Sequence, residues 1–146
     1  VMTTARSHFY RLVPLAVLLL VALVLYLQQA RTPPQGPPPV LQCANLTAGC
    51  TTRLDGRPVT VGVEGELRVL QPFQVWVRTG DARKVQASFT MEGMDMGFNL
   101  YTLHADKEGV FRGRVTLPVC VSGRRDWVMT LDIDGHRLAV PFVTEL

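Results

Sequence analysis

From about residue 41 to the end, apolar and polar side chains alternate with a period of two. Turn-forming residues interrupt them about every eight to twelve positions. A strand points successive side chains to opposite faces, so the pattern predicts half-buried strands. Residues 84–91 are the clearest case: Val85, Ala87, Phe89 and Met91 share one face, and Lys84, Gln86, Ser88 and Thr90 the other. Residues 126–133 put Trp127, Met129, Leu131 and Ile133 together. The same pattern predicts strands at residues 59–63, 66–70, 73–79, 98–103, 110–117 and 136–143. Glu64-Gly65, Gly80-Asp81 and Asp134-Gly135 supply turns, the last a strong hairpin signal. Pro141 has no N–H for a ladder and suits an edge strand. Short strands at this spacing point to one small antiparallel β-sandwich over residues 41–146.

Two segments ahead of it have different patterns. Residues 12–27 are apolar except for Pro14 and reach about 24 Å as a helix, against about 30 Å of hydrocarbon. Phe9, Tyr10 and Tyr26 extend that reach into the interfacial belts, which gives a single span at about residues 9–27. A cleaved signal peptide is the competing reading. A cut after Ala30 would leave Gln28 at the −3 position and no Ala-x-Ala follows, so an uncleaved anchor over residues 1–31 is preferred. Arg6 and Arg11 precede the span and keep that side cytoplasmic, which exports the C-terminal domain. Residues 32–40 are proline-rich and form a stiff spacer without a core.

Charge follows the same division. The formal net charge is +3, and residues 1–31 hold Arg6, Arg11 and Arg31 with no acid, so the remainder is neutral. A neutral domain without a basic stripe is a poor nucleic-acid binder, so no nucleic-acid partner is expected. There is no His-Glu-x-x-His, no Gly-x-Ser-x-Gly and no phosphate-binding glycine loop. No nucleophile–base pair stands out either, so no enzymatic activity is expected.

The chemistry concentrates at Met91-Glu92-Gly93-Met94-Asp95-Met96-Gly97, which holds three of the chain's five methionines. Thioethers are soft, neutral ligands that suit Cu(I) and need no reducing compartment. The glycines favour a loop over a continuing strand. Two readings stand for the methionines: a Cu(I) site, or filler at the edge of a core. Face parity makes Met129 core, lets Met91 serve either role, and leaves Met94 and Met96 beyond the strand end. If successive strands are antiparallel neighbours, the loops after residues 91 and 117 share one end. Cys120 then joins the methionines, with Arg124 and Arg125 near enough to lower its pKa; the alternative is a buried, inert thiol. His104 and His136 fall at the other end; two His on loops could bind a metal such as Cu(II), but two ligands are a weak set and surface polar residues are the preferred reading. Cys43 and Cys50 frame a short loop and predict a structural disulfide in an oxidising compartment. A redox pair is the sharper alternative, but the spacing is not Cys-x-x-Cys. Asn45-Leu46-Thr47 also fits the glycosylation acceptor pattern.

The Met loop, followed by Gly109-x-Phe111-x-Gly113 and the strand of Trp127, resembles the FixH/YtkA-like group over roughly residues 55–143 and the anchor. Leu117-Pro118-Val119-Cys120 and the Cys43/Cys50 pair depart from that pattern. The resemblance implies an exported, immunoglobulin-like or cupredoxin-like β-sandwich behind one N-terminal transmembrane helix, linked to copper handling and oxidase assembly. The expectation is a single-pass inner-membrane protein with a periplasmic domain. It binds Cu(I) through Met91, Met94, Met96 and Cys120 and serves a cuproprotein or oxidase client. The alternative is a metal-free assembly subunit whose Met loop is a contact surface.

Overall fold

The computed structural model describes residues 4–29, 36–91, 93–94 and 99–145, with side chains from residue 13 onward. The chain forms two compact units, Val1–Gln35 and Gly36–Leu146. The first holds one helix, α1, Thr4–Gln29, with Pro14 inside it. Its described side chains, residues 13–29, are apolar up to Leu27 and exposed throughout. The predicted span lies within α1, but among the described residues no helix is long and apolar enough to cross a membrane. The expectation of a transmembrane helix is therefore not met among the described residues.

The second unit is mostly β. Eight strands follow in order: β1 Cys50–Leu54, β2 Arg57–Glu64, β3 Pro72–Thr79, β4 Val85–Thr90, β5 Leu100–Ala105, β6 Val110–Thr116, β7 Asp126–Ile133 and β8 His136–Val143. They form one sheet in the order β1-β2-β3-β6-β5-β4-β7-β8, with every neighbouring pair antiparallel. β5 divides its partners: residues 100–103 pair with β4, and residues 104–105 with β6. β1 and β8 are the two edges. Residues 39–41 run parallel to β8, with the Leu41 N–H donating to the Ala139 carbonyl at 2.8 Å and the Ala139 N–H to the Pro39 carbonyl at 2.9 Å. The chain then crosses to β2, where the Val63 N–H donates to the Leu46 carbonyl at 3.0 Å. Residues 39–50 thus bridge the gap between the edges, and the sheet is nearly closed. The ladder starts at Pro39, inside the predicted spacer.

Alternation decides what lies inside. Val59, Val61 and Val63, Val75 and Val77, Val85, Ala87 and Phe89, and Trp127, Met129, Leu131 and Ile133 are all buried. Each large apolar side chain so buried contributes about 1.5–3 kcal/mol. Phe89 sits at the centre, edge-on to Phe73, Tyr101 and Phe142 with centroids 5.9–6.2 Å away. On the outer surface, Trp76 of β3 lies flat over Gly62 of β2 and Gly49: a Cβ on Gly62 would stand 2.2 Å from its Cζ2 atom.

Two strand expectations change. Residues 66–70 do not form a strand, because both edges of β2 are already taken by β1 and β3. That segment curls instead, the Arg68 N–H donating to the Glu66 carbonyl at 2.9 Å and Leu70 adopting φ 61°. Its ladder contact is a single bridge from Arg68 to Glu145. β1 was not expected. It forms through an Asp55-Gly56 hairpin with φ 50° and 76°, the same two-residue solution as Asp134-Gly135 at 53° and 88°. Successive strands are neighbours except at β3–β4 and β6–β7, where the chain crosses over.

Candidate metal centre

β4 and β6 are both antiparallel to β5, so they run the same way and end together. After β4, Met91 continues the inward face and is 2% exposed. Its carbonyl accepts the Met94 N–H at 3.1 Å, closing a tight turn through Gly93 at φ 73°. The turn brings Met94 back over the sheet end, half-buried against the core. Met96 lies outside the described residues. After β6, Leu117 fills the core and a second turn closes as the Gly123 N–H donates to the Cys120 carbonyl at 3.0 Å, with Gly123 at φ 69°.

The two turns meet at sulfur. Cys120 is a free thiol, 5% exposed, with its Sγ 3.7 Å from the Met94 Sδ and 2.9 Å from the Ser122 Oγ. The Ser122 hydroxyl, then the Ser122 and Arg124 N–H groups and the Arg124 charge, hold the thiol below its ordinary range, and burial opposes them. Arg124 also pairs with Asp126, so its charge is shared. Apolar side chains beside these loops face solvent: Leu70 at 66% exposure, Val119, and Val121, which is fully exposed. The Leu70 N–H donates to the Leu117 carbonyl at 2.9 Å and ties that rim to the Cys120 loop.

The other candidate residues separate. Met129 faces Phe89 and Val140 in the ladders and is core. His104, late in β5, and His136, after the β7–β8 hairpin, lie at the opposite end of the sheet. His136 Nε2 stands 3.5 Å from the Asp55 Oδ2. Among the described residues, no three of His, Cys, Asp and Glu gather into a group able to hold a metal. Cys43 and Cys50 form a disulfide with a Cα–Cα distance of 5.8 Å. Its loop lies at the same end of the sheet as the sulfurs, since β1 starts where β2 ends and β3 begins. Asn45 Oδ1 accepts the Thr47 and Ala48 N–H groups at 3.0 and 3.3 Å, which shapes that loop.

Sequence reasoning did not find Ser122, whose hydroxyl is the group nearest Cys120. A signal existed: Cys-x-Ser-Gly is a turn pattern that folds position 122 back on position 120. It also missed the apolar rim, because Leu70 was read as part of a strand.

The sulfurs brought together are thus one thioether and one thiol from separate loops, with the buried Met91 at the start of the Met94 turn. Sulfur donors of this kind match soft monovalent cations better than hard divalent ones, which prefer oxygen. Compared with known proteins, the chain matches no family model, no curated protein and no solved structure.

Proposed function

We propose that this chain is a membrane-anchored Cu(I)-binding protein. Its exported, periplasmic domain holds copper at Met94 and Cys120, with Met91 and Met96 completing the site, for delivery to a cuproprotein such as a respiratory oxidase. One observation carries the reading: two loops distant in sequence bring Cys120 Sγ within 3.7 Å of Met94 Sδ. A thiol poised below its ordinary range gives up its proton to an incoming metal more readily. The chain is a binding protein and not an enzyme in this reading. The anchor reading draws on α1, whose described side chains over residues 13–27 are apolar and exposed. The nearly closed sheet is read as an immunoglobulin-like or cupredoxin-like sandwich, with β5 changing layers midway, as its two sets of partners support.

A second reading has its own observation. Leu70, Val119 and Val121 are exposed around the same loops and would suit a metal-free assembly subunit docking through this end. An anaerobic Cu(I) titration of the full chain against a chromophoric chelator separates the two. It is run beside Met94→Leu/Met96→Leu and Cys120→Ser, which remove sulfur at nearly constant volume. The metal-binding reading expects the parent to withdraw about one equivalent and both variants to hold it at least tenfold more weakly. A parent that withdraws none ends that reading in favour of the assembly subunit.

A further inference from the structure

The outer side of β8 is filled at two places and open between them. Ala139 turns its N–H and carbonyl away from β7 and toward residues 39–41. Strand alternation aims the groups of Pro141 and Val143 the same way. One step on, the Thr144 N–H donates back to the Arg125 carbonyl at 3.0 Å. At residue 145 the outer side is filled again, the Glu145 N–H donating to the Leu67 carbonyl at 2.8 Å. Both flanking bridges, Val40 to Ala139 and Arg68 to Glu145, are parallel. Among the described residues, no strand pairs with the outer side of the stretch between them. That stretch offers one donor, the Val143 N–H, and two acceptors, the Pro141 and Val143 carbonyls, since Pro141 has no N–H. An extended segment of about four residues, laid in the direction of the flanking pieces, meets all three.

The gap opens into a groove of about 430 Å³, lined by Pro141, Phe142 and Val143 together with residues 43–47 and Leu67. The open edge and Cys43 thus line one groove. The disulfide partner of Cys43, Cys50, is held in the β1 ladder opposite Val61. We propose that the Cys43–Cys50 disulfide is an exchange site, and that its substrate is an extended dithiol segment of another protein seated along residues 141–143. A thiolate of that segment attacks Cys43 Sγ. A new S–S bond forms there, the Cys43–Cys50 bond breaks, and its electron pair leaves on Cys50 Sγ, which takes a proton from solvent. The segment's second thiolate then displaces Cys43 and closes the partner's own disulfide. This chain gains two electrons and two protons, and the partner loses them. The leaving thiol has an acceptor in place, since Cys50 Sγ lies 3.9 Å from the Asn45 carbonyl oxygen. Other ties hold the loop once the bond opens: Leu46 is buried, and its carbonyl accepts the Val63 N–H at 3.0 Å. The site is independent of the copper reading.

The test uses the full, oxidised chain and a blocked hexapeptide carrying a Cys-x-x-Cys dithiol. The control is the same peptide with its backbone nitrogens methylated, which keeps both thiols and removes the N–H groups that the edge would accept. Reduction is followed by acid quench, alkylation and mass. At equal thiolate concentration, the parent peptide opens the disulfide about tenfold faster than the methylated one, the effect of losing its strand hydrogen bonds. A single-thiol form of the parent peptide gives a mixed disulfide that maps to Cys43 and leaves Cys50 free for alkylation. Equal rates for the two peptides overturn the proposal, because the edge then selects nothing. A disulfide that neither peptide opens overturns it, and so does a mixed disulfide that maps to Cys50.

Discussion

Gly62→Ala tests the outer packing of the sheet because two known effects oppose each other in sign. Gly62 lies inside β2 opposite Trp76 and has no positive φ, so its backbone accepts alanine. Replacing a strand glycine with alanine in open space stabilises by about 0.5–1 kcal/mol. Here the new Cβ would stand 2.2 Å from Trp76 Cζ2 and 2.4 Å from Cε2. Carbon atoms settle at about 3.5–4.0 Å, so the indole must move by more than about 1 Å. It cannot simply slide, since a Cβ on Gly49 at φ 84° would already come within 2.7 Å of the same ring. Such overpacking costs about 1–3 kcal/mol. The expected net result is a loss of about 1–2 kcal/mol, read from urea denaturation and accompanied by a red shift of tryptophan emission as the ring lifts into water. In a Trp76→Leu background the same alanine should be neutral or stabilising, which gives a clear coupling in a double-mutant cycle. A single Gly62→Ala variant that is more stable than the parent, with unchanged emission, would refute the placement of the indole over β2.

Two further outcomes follow from the same geometry. Cys43→Ser/Cys50→Ser should cost about 2–3 kcal/mol, the chain entropy of opening a short loop. Thermal denaturation checks this, and addition of reductant should bring the parent to the same midpoint. Asp106 is held below the usual carboxylate range, first by its bond to Arg112 and then by the Val110 N–H. Its folded pKa is depressed, so its stabilisation is present above the unfolded value of about 4 and is lost as pH falls further. Asp106→Asn should flatten the decline of stability below about pH 4, measured by denaturant titration at several pH values. An unchanged slope would remove Asp106 from the account.

Much of the sheet was legible because burial imposes period two wherever one face is inside. β3, β4 and β7 each read cleanly, and both faces of residues 84–91 came out as expected. The meeting of Cys120 with Met94 was legible too, since strand direction alone carries the ends of β4 and β6 to one side. Alternation failed where the determinant was not local. Residues 66–70 alternate, yet a strand needs a free edge, and β2 had none to offer. β1 is an edge strand of Thr and Arg with little apolar content, and its mark was the Asp55-Gly56 turn after it. The crossovers at β3–β4 and β6–β7 carry no period at all. Gly62 under Trp76 reads as a weak strand position until the ring is placed over it.

The pairing of residues 39–41 with β8 bears on the order in which the domain can be completed. The first residues of the unit lie beside Ala139 in its last strand. A chain emerging from its N-terminus can fold the β1–β3 meander early, because those contacts are local. The seam next to β8 stays open until β8 has been made, and until then the groups of residues 39–41 that pair with Ala139 lack that partner. Closure of this seam therefore waits for β8. A chain truncated before β8 loses both its final strand and the docking of its own beginning.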